Sequence, residues 1–332
     1  MPDQASPSVS VIITAYNAQA TIADAVRSAL AQPEVAEVIV VDDASSDDTA
    51  GAATAAAAGD ARLVMIRAGR NGGPAAARNL ALGVARGGFV AILDADDFVL
   101  PGRFARLLAV ADWDLVADNI LFVTEATGPG DLPPVPQATG TGIIDIDLNA
   151  FVRANLSGGD SNRHEWGFLK PLIRRDFLTR HGLVYDETLR LGEDYDLYVR
   201  MLQAGARFRA IREVGYAARW RDDSLSSRHR TADLAALCRA SESHLAAYQA
   251  AHDGPDQAAA ALSDHRRDLR RRYVLRDFLD CRARRGRAGA ILSALRHPGR
   301  IVPIARGILA DKLAARHPRT RPTRIGRLLI ED

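Results

Sequence analysis

The feature that most constrains the fold of this chain is a regular alternation of apolar runs and helical patterns in its first hundred residues. The apolar runs cover residues 8–14, 37–41, 62–66 and 89–94. The helical patterns between them cover residues 21–30, 46–58 and 74–85. Strands that alternate with helices of about a dozen residues form a mostly parallel sheet with helices on both faces. The sequence therefore predicts an α/β fold.

Polar loops follow three of these predicted strands. They lie at residues 15–17, 42–45 and 94–97. Ligands of open α/β sheets bind at the carboxyl ends of the strands. We therefore expect the three loops to line one binding site.

The most acidic of these loops is Asp94-Ala-Asp-Asp97, which ends a buried apolar run. Side chains two positions apart on a strand share a face, so Asp94 and Asp96 can point the same way. Carboxylate oxygens suit Mg²⁺ or Mn²⁺, which keeps phosphate oxygens among its other ligands. The loop therefore predicts a metal–diphosphate platform. The alternative is a polar loop in which Asp97 caps the next helix.

The pattern loosens after about residue 112. A strand is predicted at 115–123, a Pro- and Gly-rich loop at 127–142, a helix opening at Glu193 or Asp194, and a strand at 208–216. A polar loop follows at 219–229, and helices follow after residue 230. We therefore predict a catalytic domain over 1–230, with a first half at about 8–112 and a second half at about 113–230. A helical, basic region is predicted over 231–332.

Charge divides the chain in the same way. Residues 1–220 carry 20 Lys+Arg against 28 Asp+Glu, whereas residues 221–332 carry 23 against 13. The basic end also has Ile301, Ile304, Ile308 and Leu309 at helical spacing. This pattern predicts contact of residues 296–332 with an anionic membrane surface. The alternatives are a solvated basic helix packed on the catalytic domain or a frayed tail. Nucleic acid is not expected as a partner, because stacking aromatics are absent there.

The cysteines and the N-terminal sequence indicate the cellular compartment. Cys238 and Cys281 show neither paired spacing nor a metal-binding pattern, which indicates a reducing cytoplasm. The N-terminus lacks the pattern of a signal peptide, and no window is apolar enough for a spanning helix. We expect a cytoplasmic protein that can be peripheral on a membrane.

Four landmarks in order carry a family resemblance: Thr14-Ala-Tyr-Asn17, Val41-Asp-Asp-Ala-Ser45, Asp94-Ala-Asp-Asp97 and Glu193-Asp194. Over roughly residues 8–230 this set resembles the family 2 inverting glycosyltransferases, which have the GT-A fold. The resemblance implies a donor half at about 8–112 and an acceptor half at about 113–230. The segments at 166–175 and 191–198 are similar to bacterial succinoglycan-biosynthesis glucosyltransferases. Those enzymes extend a lipid-linked oligosaccharide on the cytoplasmic side of the inner membrane.

The resemblance implies a set of donor-nucleotide residues. They are Thr14, Ala15, Tyr16, Asn17, Asp43, Arg78, Asp94 and Ala95. Tyr16 would offer a ring face, and Asp43 would accept the uracil N–H. The alternatives are an ordinary strand-to-helix turn at Tyr16, a helix cap at Asp43 and a solvent-exposed helix residue at Arg78.

The resemblance also implies the reaction. Asp96, with Asp94 as a second ligand, would hold Mg²⁺ or Mn²⁺, and His229 would complete the site or Arg228 would clamp the diphosphate. Asp194 would be the general base that takes the acceptor hydroxyl proton, with Glu193 as a substitute. No acid-role carboxylate is needed, because a metal-held nucleoside diphosphate leaves readily. The implied donor is a UDP-sugar, UDP-glucose by preference, and the implied acceptor is a lipid-diphosphate-linked oligosaccharide of exopolysaccharide biosynthesis.

Tyr216-Ala-Ala-Arg-Trp220 resembles the Gln-x-x-Arg-Trp signature of processive synthases, with Tyr in place of Gln. Because no membrane channel is predicted, we expect transfer of one sugar. A dinucleotide-dependent oxidoreductase would need G-x-G-x-x-G after the first strand, and a sugar nucleotidyltransferase would need a Gly-rich, basic first loop; neither is present. A non-catalytic scaffold or binding protein on the same fold is the remaining alternative.

Overall fold

The computed structural model of the chain describes residues 8–134, 142–156, 165–220, 230–316 and 326–330. These residues form two compact units. The first contains 8–134, 142–151, 165–220 and 326–330, and the second contains 152–156 and 230–316.

The predicted helical region of 231–332 needs a correction at its end, because residues 326–330 belong to the first unit. Leu328 forms an antiparallel bridge with Leu121, and the side-chain amide of Asn119 donates to the carbonyl of Ile330 at 2.8 Å. Sequence reasoning missed this return because five residues carry too little periodicity to predict pairing with a distant strand.

The first half of the first unit has the predicted alternation. Its elements are β1 (Val9–Ala15), α1 (Ile22–Leu30), β2 (Val35–Asp42), α2 (Thr49–Ala57), β3 (Leu63–Arg67), α3 (Pro74–Val84) and β4 (Phe89–Asp94). Of the β1 residues only Thr14 is not fully buried, which explains the continuous apolar run. Asp48 caps α2 by accepting the Gly51 N–H at 3.2 Å.

These four strands lie side by side in the order β3-β2-β1-β4, and every pair among them is parallel. The parallel arrangement places all four carboxyl ends at the same edge of the sheet. The α/β prediction is therefore confirmed for this half.

The second half of the first unit extends the same sheet with mixed strand directions. Its elements are β5 (Phe98–Val99), α4 (Arg103–Leu108), β6 (Leu115–Thr124), β7 (Ile143–Ile146), α5 (Leu148–Ala154), β8 (Leu172–Arg174), α6 (Arg175–Arg180), α7 (Glu193–Gln203) and β9 (Phe208–Trp220). The order continues β4-β8-β6-β9-β5, and β7 also pairs with β9. The strand β8 is antiparallel to both β4 and β6, whereas β6 and β9 are parallel.

Several elements of this half differ from the predictions. β5, β7, β8 and α5 were not predicted, because two to seven residues are too few to show a period. β9 continues to Trp220, through the start of the predicted polar loop, because it pairs with β6 up to that residue. The remainder of that loop, with Arg228 and His229, lies outside the described residues.

The second unit is helical, as predicted. It contains α8 (Thr231–Ala251), α9 (Gln257–Leu295) and α10 (Ile301–Arg316). Asp256 caps α9 by accepting the Ala259 N–H at 2.7 Å, and Gly286, with φ 71°, interrupts the same helix. No helix in the described parts of the chain is both long and apolar enough to span a bilayer.

The predicted apolar face of α10 needs one correction. Ile304 is 6% exposed, so it packs inside the helical unit and cannot face a membrane. Leu309 is exposed, and so are Leu292 and Leu295 at the end of α9. The exposed apolar surface of this unit therefore begins before residue 296.

Candidate active site

The carboxyl ends of three neighbouring strands meet at one edge of the sheet. Ala15 of β1 lies opposite Asp42 of β2, and Thr14 of β1 lies opposite Asp94 of β4. The three loops predicted to line a site therefore leave adjacent strands. Their common position at this edge is confirmed.

Hydrogen bonds tie the loop after β1 to the loop after β2. The Asn17 N–H donates to Ser45 Oγ at 2.9 Å, and the Ser46 N–H donates to Asn17 Oδ1 at 2.8 Å. Asn17 has a φ of 51°, a conformation that asparagine adopts more readily than most residues. Tyr16, beside it, is 54% exposed. The predicted nucleotide loop is thus a cross-linked turn that presents one open aromatic ring.

Asp43 holds the turn that starts α3. Its two carboxylate oxygens accept the N–H groups of Gly72 and Gly73, each at 2.8 Å. Gly73 precedes α3 with a φ of 87°, which favours glycine. The carboxylate keeps lone pairs for a further donor, so uracil recognition by Asp43 stays a prediction. Its observed role is to fix the start of the helix that carries Arg78.

Arg78 and Lys170 join carboxylates that are far apart in the sequence. Arg78 Nη2 lies 3.1 Å from Asp94 Oδ1, and Arg78 Nη1 lies 3.0 Å from Asp194 Oδ1. Lys170 Nζ lies 2.9 Å from Asp94 Oδ2 and 2.8 Å from Asp194 Oδ2. Arg78 Nη1 also lies 2.5 Å from Glu193 Oε1. The two cations therefore form a double bridge between Asp94 and Asp194.

The charges of this cluster shift one another's pKa. Burial alone would raise the pKa of Asp94, but Lys170 and Arg78 outweigh burial and hold that pKa below its ordinary value. Burial would lower the pKa of Lys170, but Asp194 and Asp94 outweigh it and raise the pKa. Burial raises the pKa of Glu193, and Arg78 offsets this only in part. The opposite charges of Lys170 and Asp94 therefore favour the charged form of each group, whereas burial favours the neutral form of Glu193.

Tyr185 gives Asp194 a third partner. Its hydroxyl donates to Asp194 Oδ1 at 3.2 Å. Its backbone is held by Asn79, whose side-chain amide donates to the Tyr185 carbonyl and accepts the Tyr185 N–H, both at 2.9 Å. Because Asn79 follows Arg78 on α3, one helix positions two groups that contact Asp194.

Tyr216 and Arg219 of β9 anchor the acidic loop. The Tyr216 hydroxyl donates to Asp97 Oδ2 at 2.8 Å, and the Arg219 N–H donates to Asp97 Oδ1 at 2.8 Å. The Arg219 side chain donates to the carbonyl of Asp96 at 2.9 Å. Burial, and then the neighbouring Asp96 and Asp94, raise the pKa of Asp97 well above its ordinary value. Tyr216 and Arg219 of β9 therefore fix the position of the acidic loop through Asp97 and the backbone of Asp96.

The carboxylates at this edge suit an open metal site. Among the described residues, no three Asp, Glu, His or Cys side chains come together as a closed metal cage. Both oxygens of Asp94 are already engaged by Arg78 and Lys170, and Asp96, two residues further along the chain, is half-buried. Mg²⁺ usually takes one or two protein carboxylates and completes its shell with phosphate oxygens and water. The residues present therefore fit a cation shared between Asp96 and a diphosphate.

The structure thus brings together most of the predicted site residues. Asp94, Glu193 and Asp194 meet around Arg78, and the predicted donor residues Thr14, Ala15, Tyr16, Asn17, Asp43 and Ala95 lie on the adjoining strand ends. The predicted metal ligand His229 lies outside the described residues. Trp220, whose role was open, packs edge-on against Phe122 with ring centroids 5.9 Å apart.

Sequence reasoning missed Lys170 and Tyr185 and the anchoring role of Arg219. One signal for Lys170 was present: 43 residues are Lys or Arg, but only Lys170 and Lys312 are lysines. A lysine in a chain that otherwise uses arginine indicates a position that needs a compact charge. Tyr185 carried no such signal, because its contact depends on how its loop folds onto Asn79.

Comparisons with known proteins identify the family of this chain. The family described as Glycosyl transferase family 2 matches residues 10–177. The chain is 47% identical over 330 residues to succinoglycan biosynthesis protein ExoU of Rhizobium meliloti (strain 1021), covering 97% of this chain and 93% of that protein. It is 36% identical over 329 residues to succinoglycan biosynthesis protein ExoO of the same strain, covering 94% and 89%.

A solved structure shows the same fold. S. aureus TarS 1–349 in complex with UDP-GlcNAc matches with a TM-score of 0.58 and 22% identity, over 83% of this chain and 74% of that chain. The mixed sheet and this likeness confirm the predicted GT-A fold. The family match spans about half of this chain and the likeness to ExoU spans nearly all of it. The chain therefore belongs to glycosyl transferase family 2 and is a glycosyltransferase.

Proposed function

We propose that this enzyme moves one sugar, with inversion, from a UDP-sugar to a lipid-diphosphate-linked oligosaccharide during synthesis of a succinoglycan-like exopolysaccharide. The donor we favour is UDP-glucose. The proposal is supported by the family, by the two relatives named for succinoglycan biosynthesis, and by the order of the strand-end loops.

The observation that carries the proposal is the meeting of Asp94 and Asp194 at the carboxyl edge of the sheet. Lys170 Nζ lies within 2.9 Å of both carboxylates, so the two belong to one site. In the proposed reaction Asp94 contacts the ribose or the donor sugar. Asp194 takes the proton of the acceptor hydroxyl as that oxygen attacks the anomeric carbon. Attack opposite the leaving diphosphate inverts the anomeric centre.

A divalent cation, Mg²⁺ or Mn²⁺, is part of the proposal. Asp96 would hold it, with Asp94 at the same strand end as a second ligand. When bound, such an ion would neutralise the negative charge that develops on the diphosphate as its bond to the sugar breaks. A nucleoside diphosphate that is stabilised in this way needs no protonation by a protein acid.

The nucleotide would lie across the loops after β1 and β2. Tyr16 is the exposed ring at this edge, and it would stack on or flank the base. Asp43 would receive the uracil N–H in addition to its two backbone donors. The acidic loop anchored by Tyr216 and Arg219 would then receive the diphosphate and its cation.

We further propose that the helical unit contacts the anionic membrane that holds the acceptor, so that the enzyme is cytoplasmic and peripheral. Residues 282–310 contain seven arginines and no acidic residue. Leu292, Leu295 and Val302 are each more than half exposed in the same unit. Apolar side chains flanked by arginines are typical of helices that lie in a membrane interface.

The decisive experiment is a donor screen. Purified full-length protein is incubated with a panel of nucleotide sugars, Mg²⁺ or Mn²⁺, and a membrane extract that contains lipid-linked acceptors. We expect release of UDP and a labelled lipid-linked product with a UDP-hexose, and none in EDTA. No transfer from any UDP-sugar would refute the proposed donor class. Full activity in EDTA would refute only the proposed requirement for a divalent cation.

A further inference from the structure

Lys170 is a buried cation whose role the proposed function leaves open. It lies inside the segment 166–175, one of the two segments that carry the resemblance to succinoglycan-biosynthesis glucosyltransferases. It is 7% exposed, and its ammonium lies between Asp94 and Asp194. Arg78 bridges the same two carboxylates from the other pair of oxygens. Four oxygens of two carboxylates are therefore held by two cations.

The backbone at Lys170 is fixed on both sides. The buried guanidinium of Arg103 donates to the Lys170 carbonyl at 2.5 Å, and the Tyr198 hydroxyl donates to the Leu169 carbonyl at 3.2 Å. Pro171 follows, and a residue before proline is restricted to extended conformations. The ammonium is therefore placed by a rigid support.

Arg103 is itself locked. It pairs with Asp118 at 2.9 Å, and both side chains are 1% exposed. Its guanidinium also lies 5.2 Å from the ring centroid of Tyr216, which anchors the acidic loop. Arg103 therefore contacts both the backbone of Lys170 and the ring of Tyr216, which anchors the loop that carries Asp94.

A lysine suits this position better than an arginine. The ammonium is a compact charge with three donors in tetrahedral directions, so it can contact Asp94 and Asp194 at the same time. Two carboxylates that share a site repel each other, and a compact cation between them removes the repulsion at a set distance. Arg78 cannot do this alone, because its Nη1 is shared with Glu193.

We infer that Lys170 is a positioning residue for sugar transfer, which sets the separation and orientation of the base Asp194 relative to the donor carboxylate Asp94. The inference rests on the proposed role of Asp194. Lys170 acts through these two carboxylates and not on the reacting atoms. Its removal should therefore slow the chemical step much more than it weakens donor binding.

The test compares Lys170→Met and Lys170→Arg with Arg180→Met, which removes an exposed cation of the same unit. We expect kcat to fall about 100-fold for Lys170→Met, with the KM for the UDP-sugar changed by less than about threefold. Lys170→Arg should fold like the wild type but keep kcat at least about tenfold low, because the larger guanidinium must displace Asp94 and Asp194, which the buried ammonium contacts at 2.9 and 2.8 Å. Arg180→Met should behave like the wild type.

Several outcomes overturn the inference. A wild-type kcat in Lys170→Arg would show that charge alone matters. An increase in KM with unchanged kcat for Lys170→Met would make Lys170 an ordinary donor-binding cation. If Lys170→Met does not fold, the kcat of Lys170→Arg tests the inference instead. Full activity of Asp194→Asn is a separate result, which removes the base assignment of the proposed function.

A second measurement needs no turnover. Because the chain has only two lysines, ¹⁵N-lysine labelling with Lys312→Arg leaves a single side-chain signal. A buried, ion-paired ammonium exchanges its protons slowly enough for NMR detection. We expect this signal to shift or disappear in Asp194→Asn and to remain in Asp176→Asn, an exposed aspartate of α6. An unchanged signal in Asp194→Asn would overturn the contact on which the inference depends.

Discussion

The sheet edge and the helical unit use charge in opposite ways. At the sheet edge, two buried cations face three carboxylates within 3.1 Å, and each charge is compensated by a specific partner. In the helical unit most arginines of α9 and α10 are exposed, and pairs such as Arg276–Asp280 lie at the surface. The number of charges in a region therefore says little about how strongly they interact. Burial decides it, because water screens exposed charges.

The largest expected effect is on catalysis at the sheet edge. Asp194→Asn and Asp96→Ala should each lower kcat by roughly three orders of magnitude, since one removes the base and the other the cation ligand. Only Asp96→Ala should greatly weaken metal-dependent UDP binding, measured by calorimetry. Asp277→Asn in the helical unit is the matched control and should keep full activity. Wild-type transfer by Asp194→Asn would contradict the assignment of Asp194 as the base, and with it the catalytic role of the buried charges.

The second effect is on stability. Arg103→Met leaves Asp118 buried without its partner and should cost about 3–5 kcal/mol in the free energy of unfolding. Arg276→Met removes an exposed pair partner in α9 and should cost about 1 kcal/mol or less. Urea denaturation of both variants measures the difference. Equal losses would show that burial does not separate the two regions.

A smaller effect is expected at the membrane. Leu292→Gln, Leu295→Gln and Val302→Gln combined should weaken binding to vesicles of anionic lipid roughly tenfold, because buried apolar area contributes to interfacial binding. The matched control is Ile143→Gln with Val184→Gln, which changes exposed apolar residues of the first unit. Deleting 296–332 is a poorer test, because residues 326–330 pair with β6. Equal vesicle binding of the two variants would contradict the proposed surface.

The smallest effect is a pH dependence in the helical unit. The Ala259 N–H and then the Tyr248 hydroxyl lower the pKa of Asp256 below its ordinary value. A lowered pKa stabilises the fold above the unfolded-state pKa, and this stabilisation is lost as the pH falls through the folded-state pKa. Asp256→Asn should therefore lower Tm at neutral pH and match the wild type in strong acid. The exposed Asp253→Asn should leave Tm unchanged at both values, as scanning calorimetry would show.

The donor half of the fold was predictable because its signals are local. β4 has the predicted bounds, and the other strands and helices of this half differ from prediction by at most three residues at either end. Parallel strands then bring their carboxyl ends together, so Asp94 and the loops after β1 and β2 were placed correctly. Asp194 was reachable only through the family resemblance, since nothing local connects it with Asp94.

Residue periodicity and strand-end chemistry were enough to establish the α/β order, the acidic edge of the sheet and the basic helical end, because each depends on neighbours in the chain. The pairing of Arg78 and Lys170 with Asp94 and Asp194 had a different origin. It arose when α3, α7 and the segment before β8 packed against one edge. Exclusion of water from this edge strengthens the contacts between these charges. No single stretch of the chain produces that exclusion alone.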